Sequence, residues 1–407
     1  MRTLLTMAAA VSMFAGSAAA DVKVAYLDTL SGPFGAIGEN GLTTFQLVAE
    51  QINAAGGIKG EKLEIKAYDN GGTPEGTLLQ MQKAIDGGAR FVMIANGSAL
   101  AAALVDGVNK YNARNPGNEV LYLNWGASAP ELTNENCSFW HFRFAPHSGM
   151  AVNALTDFVK NRTDIKKVYL IGQDYVFGRS VLEAAVEQLK VKRPDVEIVG
   201  KEYHPVGKVK DFTPYVQKII TSGADAVLTG NWGQDMVLLV KAAADSGAKM
   251  PFLTVFGGSR GTIAALGQAA VGKLLFVNEG NNNMDVPKDQ SDLVAEYKKR
   301  FPEYDYLYHR NRTTLEMLKL AIEKAGSSKA LPVAKALEGL TYNDPYGPVT
   351  MRASDHQLQL NQYVSVVAEG VKVTSDGTPY GWKLVEGGEV PMAAGEMETT
   401  CKMKRPN

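Results

Sequence analysis

Only two cysteines, Cys137 and Cys401, occur in 407 residues. That count excludes a disulfide-dense scaffold, and two cysteines so far apart with no nearby histidine make a poor zinc set. The five histidines, at positions 141, 147, 204, 309 and 356, show neither HxxxH nor HExxH spacing, so no metal site is expected. An excess of positive charge is missing too. Lys and Arg total 42 against 43 Asp and Glu, a net charge of -1 with no basic stripe, which argues against a nucleic-acid partner. No apolar run reaches the ~20 residues of a membrane-spanning helix, so no membrane span is expected.

What is present begins with a targeting segment. Arg2 supplies a positive start, Leu4 to Phe14 a short apolar core, and Ala18-Ala19-Ala20 a small-residue cleavage site before Asp21. Residues 1–20 therefore read as a signal peptide cut after Ala20, giving an exported, periplasmic protein. In that oxidising compartment one disulfide, Cys137 to Cys401, is favoured over two free buried thiols. The remaining chain is too long for one comfortable core at roughly 150 residues per domain, so two lobes are expected.

Short β-branched runs alternate with helical periodicity along most of the length. Strands are predicted at 62–69, 91–96, 119–125, 166–172, 225–231, 251–256 and 274–279, after a first apolar run from Val22 to Leu30. Helical stripes fall between them, and two longer ones lie near 288–301 and 311–326. This alternation predicts an α/β protein with parallel sheets covered on both faces. From Tyr342 to Thr374 the period turns to two and predicts hairpin strands, whereas 375–407 reads as a loose tail. The stretch SGPFGAIGENG (31–41) repeats glycine every third residue between a strand and a helix. It lacks both the GxGxxG and the GK[ST] spacing of phosphate-binding turns. Its helix start could still offer free N–H groups to a polar ligand.

The motifs SGPFGAIG (31–38), INAAGGIKGEKLEI (52–65), YDNGGTPE (68–75), APELT (129–133), FRFAP (142–146), QDYVFGRS (173–180) and DFTPYVQKI (211–219) are distinctive together. In this order the chain resembles the type I periplasmic solute-binding proteins of ABC importers, the branched-chain amino acid and amide group. The resemblance implies two doubly wound lobes joined by three crossovers, with a small solute held between them and delivered to a membrane permease. It predicts lobe I over 21–145 and 281–345, and lobe II with the C-terminal tail over 146–280 and 346–407. A monomer without cofactor is expected. The ligand-binding positions it implies are Ser98 in the Asn96-Gly97-Ser98 loop for a carboxylate, Gly126 and Ser128 in the next loop, Phe34 and Trp232 as aromatic lining, and Tyr175 from the second lobe.

One position departs from that pattern. Amino-acid-binding members carry a glutamate for the ligand's α-ammonium where this chain has Phe256. An ammonium buried without an anionic partner is costly, so either Asp174 or Glu279 substitutes from another loop or the ligand is a small carboxylate or amide with an apolar body. Two other readings remain. Gly257-x-Ser259-x-Gly261 has the form of an esterase nucleophile elbow, with Asp285 or Asp305 and His309 or His356 following in triad order, although no HGGG-type oxyanion loop accompanies it. The fold would also suit a ligand-sensing module, for which no attached signalling segment is visible.

Overall fold

A computed structural model describes residues 21–406; the signal segment read at 1–20 lies outside them. Strands β1 (Val22–Tyr26), β2 (Leu63–Ala67), β3 (Phe91–Ile94), β4 (Leu121–Asn124) and β5 (His141–Arg143) form a parallel sheet in the order β2-β1-β3-β4-β5. The chain continues through β6 (Lys167–Gln173), β7 (Glu197–His204), β8 (Ala226–Thr229), β9 (Phe252–Thr254) and β10 (Leu274–Asn278). A small antiparallel meander follows, β11 (Thr341–Asp344), β12 (Gly347–Met351) and β13 (Leu358–Gln359), before β14 (Gln362–Ala368) and β15 (Gly381–Val390). The second sheet runs β15-β14-β10-β9-β8-β6-β7 and is parallel except for β14 and β15.

Every residue of β3, β4, β8 and β10 is buried, because helices cover both faces of each sheet. On the first sheet, Phe45 and Val48 of Gly35–Ala54 and Leu315 and Leu318 of Arg310–Ala325 fill one side. Met81 of Pro74–Asp86 and Leu104 of Ser98–Arg114 fill the other. On the second sheet, Leu155 and Val181 pack one face, and Val216 and Leu239 the other. The fold is thus the expected mixed α/β architecture of doubly wound sheets. Two helix starts press on the preceding strand end, and glycine permits both. A Cβ on Gly38 would sit 2.0 Å from the Thr29 carbonyl oxygen, and one on Gly178 would sit 1.9 Å from that of Gln173.

The chain passes between the sheets through 144–166, through the segment after β10, and through residues 360–361 between β13 and β14. Val349, Met351, Leu358 and Leu360 of the meander pack with the first sheet's core. The C-terminal residues are a correction: 381–390, read as part of a loose tail, form the edge strand β15. Beyond it Met397 and Met403 pack against the first sheet's core, and Cys401 is disulfide-bonded to Cys137, 264 residues away. Strands β5 and β7 and the helix Ala330–Leu337 were not predicted, and 371–374, read as a strand, is irregular.

Candidate functional site

The C-terminal ends of the two parallel sheets border one cleft of about 580 Å³, open mouth included, where doubly wound sheets hold ligands. Of the seven predicted residues, Ser98, Gly126, Ser128, Tyr175, Trp232 and Phe256 line it. Phe34 stands at its edge, in the turn after β1. Its ring crosses to stack on Trp232 with centroids 4.2 Å apart, and a Cβ on Gly233 would meet that ring at 2.8 Å. From the glycine-rich turn itself the cleft receives the apolar side chain of Ile37.

The first sheet contributes polar groups on a fixed frame. Asp28, at the end of β1, is fully buried and accepts from the backbone N–H groups of Thr29 (2.9 Å), Ala95 (2.9 Å) and Asn96 (3.1 Å). Burial pushes its carboxyl up to about 6 against those bonds. The loop that Asp28 holds presents Asn96, whose buried Nδ2 has no protein partner. Gly97, with φ +103°, is the cap residue of the helix Ser98–Arg114 and supplies no side-chain cap. Ser98 is therefore not the cap. Its Oγ accepts from the Ala129 N–H at 3.2 Å, which leaves its own proton available. In the neighbouring loop Asn124 Oδ1 accepts from Gly126 N (3.1 Å) and Ala127 N (2.8 Å), and Ser128 Oγ donates to the Gly126 carbonyl at 2.9 Å.

The second sheet contributes rings. Trp232 Nε1 donates to Tyr175 Oη at 2.8 Å, and burial raises the Tyr175 phenol above its ordinary range. Phe256 packs on Phe177 with centroids 5.4 Å apart. Ser259 Oγ accepts from Gly233 N and donates to the Phe256 carbonyl, both at 3.0 Å. That hydroxyl tightens two loops, and no histidine is among its hydrogen-bond partners. Asp305 pairs with Lys298 at 2.7 Å and His356 with Glu338 at 2.9 Å, so these members of the suggested triad are engaged elsewhere.

Sequence reasoning missed the floor of the cleft. Arg310 is buried, donates through Nε to the Trp125 carbonyl at 2.6 Å and forms an ion pair with Glu279 through Nη1. A signal existed: Arg310 and Arg312 sit in the first turn of a helix, where the dipole disfavours cations, which calls for acidic partners. Arg312 has one in Asp289. Of the two acids considered for an ammonium, Glu279 lies beside the floor with Oε2 buried and unpartnered. Asp174 is half-exposed and paired with Arg179 at 2.7 Å, outside the lining.

Two doubly wound sheets facing a shared cleft define a solute-binding architecture. The chain belongs to the periplasmic binding protein family, whose model matches residues 21–372. It is 35% identical over 406 residues to the Leu/Ile/Val-binding protein homolog 4 of Brucella abortus, covering 96% of this chain and 95% of that one. It is 25% identical to a leucine-, isoleucine-, valine-, threonine- and alanine-binding protein of Pseudomonas aeruginosa, over 84% of this chain and 88% of that one. A solved structure from Brucella ovis, of a protein with that same description in closed conformation, superposes with a TM-score of 0.84 at 33% identity. It covers 95% of this chain and all of that one. A solute-binding protein of Rhodopseudomonas palustris solved with 3,4-dihydroxybenzoic acid shares the fold, with a TM-score of 0.77 at 18% identity over 92% of this chain and 98% of that one. The chain is thus a substrate-binding protein of a family that works with ABC importers, not an enzyme. No helix among the described residues is long and apolar enough to cross a membrane.

Proposed function

We propose that the chain is the extracytoplasmic receptor of an ABC importer that captures a small carboxylate- or amide-bearing solute with an apolar body. The observation that carries this reading is the pairing of unpartnered donors at Asn96 and Ser98 with an aromatic opposite wall that has Phe256 instead of an acid. A hydroxyl, an amide and a helix N-terminus suit a carboxylate without burying a lysine. Trp232, Tyr175 and Phe256 suit a flat or branched carbon skeleton. Zwitterionic leucine or valine is the second reading, favoured by the names of the relatives that share a third of the sequence.

In this proposal the lobes are 21–143 with the segment from 281 to 360 and the end of the tail, and 148–278 with 362–390. Placing 346–360 in lobe I follows its packing. Solute docks first on the 96–98 and 126–128 loops, and the second lobe then closes with Tyr175, Trp232 and Phe256 over it, while Phe34 latches on Trp232. The closed form is what the permease receives, and the protein acts as a monomer exported by a signal peptide cut after Ala20.

A thermal-shift panel of branched-chain amino acids, amides, 2-oxo acids and aromatic carboxylates tests the reading. A ligand at 100 times its Kd stabilises by about 2.7 kcal/mol. Small-angle scattering with a saturating hit should show compaction. Phe256→Glu should weaken a simple acid, because it adds a second negative charge to the closed cleft, and should leave leucine binding unchanged or better. A panel without hits, or a hit without compaction, would refute the receptor mechanism.

A further inference from the structure

We infer that the cleft continues behind Phe256 into a second chamber that reads a nitrogen-borne hydrogen-bond donor on the ligand, with Glu279 and Gln362 as its acceptors. This rests on the carboxylate reading above and narrows it, from any small apolar acid to one that also carries an N–H group. A space of about 380 Å³ adjoins the cleft and shares Ser128, Phe256, Tyr308 and Arg310 with it. Two side chains on its wall hold open acceptors. Glu279 spends Oε1 on Arg310, while its Oε2 is buried without a partner. Gln362 donates through Nε2 to the Met150 carbonyl at 3.1 Å, and its Oε1 is likewise buried without a partner. Glu279 is 6% exposed and Gln362 1%.

Both open atoms are acceptors, so what satisfies them must donate. A plain carboxylic acid has no proton to offer at neutral pH and would leave both unpaired, which is where binding sites discriminate most sharply. An ammonium or a primary amide supplies the protons. Arg310 already offsets the Glu279 charge, so the wall is neutral overall yet open on its acceptor side. A zwitterion then adds no net charge to the closed space. The departure at residue 256 is thereby compensated one strand along, at the end of β10, rather than left empty.

Calorimetry on the full chain with leucine, succinamate, 4-methylpentanoate and benzoate tests this. At least one nitrogen-bearing acid should bind about tenfold or more tighter (about 1.4 kcal/mol) than either plain acid. Preference for leucine identifies an ammonium, and preference for succinamate an amide. Glu279→Gln and Gln362→Leu should each reduce that ratio toward one. Gln362→Leu leaves the Arg310–Glu279 pair in place and so serves if Glu279→Gln does not fold. Equal or tighter binding of a plain acid, or discrimination that survives in Gln362→Leu, overturns the inference and leaves the carboxylate reading intact. No binding of any of the four, together with an empty thermal-shift panel, removes both.

Discussion

The two walls of the cleft are built by the same βα geometry and made chemically opposite. Asp28 and Asn124, both fully buried, grip the first-sheet loops by their backbone N–H groups, so Ser98 and Asn96 present polar groups from a hydrogen-bonded frame. On the second wall the Ser259 hydroxyl ties the loops of Gly233 and Phe256, and the cleft-facing groups are rings in contact, Trp232 with Tyr175 and Phe256 with Phe177. Anchored polar groups specify orientation, because hydrogen bonds are directional. Rings supply area and exclude water without prescribing a direction. In the proposed closure the polar wall keeps its geometry while the aromatic wall moves.

The largest effect expected on this asymmetry comes from the bond that pins the tail to the polar half. Reduction, or Cys401→Ser, removes a cross-link closing a loop of more than 260 residues, worth up to about 5.6 kcal/mol in the chain-entropy model. Urea unfolding should show a lower midpoint with ligand affinity little changed; an unchanged midpoint would mean that tail packing alone suffices.

Next is the pH response of the polar wall. The Asp28 carboxyl stands near 6 in the folded protein against 3.8 ordinarily. Between those values the folded state holds a proton that the unfolded chain has released. Its contribution to stability is fully present below the lower value and is lost as pH rises through 6, by up to about 3 kcal/mol. Asp28→Asn should therefore lose less stability than wild type between pH 4 and 6 in paired denaturation curves. Carboxyls with depressed values, such as Glu50 beside Arg300, slope the other way and cancel in the difference. Parallel curves would contradict a raised Asp28.

The smallest effects separate the walls directly. Trp232→Ala removes a stacked ring and should weaken a panel hit by about 2 kcal/mol or more. Ser98→Ala should cost about 1 kcal/mol of affinity. If the polar wall orients and the aromatic wall covers, Ser98→Ala should raise binding of the wrong ligands relative to the right one, and Trp232→Ala should weaken all alike. Competition calorimetry reads that ratio, and the reverse pattern would exchange the roles.

Legibility followed continuous apolarity. FVMI, AVLT and LLFVN were readable as strands because continuous apolarity is what a doubly covered parallel sheet demands. The loops at their ends followed from the topology and from the resemblance. β15 was not readable: at the sheet edge its residues are alternately buried and exposed without strict period, and Gly387 at φ +68° interrupts the pattern. Glu279 was named as a candidate, but its partner Arg310 escaped because a charge in a sequence reads as surface until its partner is known. The cationic first helical turn calls for an acid, but with the two halves of the pair 31 residues apart nothing local says which one. The placement of 346–360 was hidden for a similar reason. Its period-two pattern predicts a hairpin but not which sheet's core the hairpin joins.

The tail that returns from β15 to Cys137 also turns the molecule into a ring. Strands β5 to β15, and with them the whole second sheet, lie between the two cysteines, while β1 to β4 lie outside. A protease cut at the exposed Lys208 or Lys210 divides the polypeptide without dividing the protein. The pieces stay one covalent object, migrate as one band on a gel run without reductant, and come apart only when the sulfur bond is reduced.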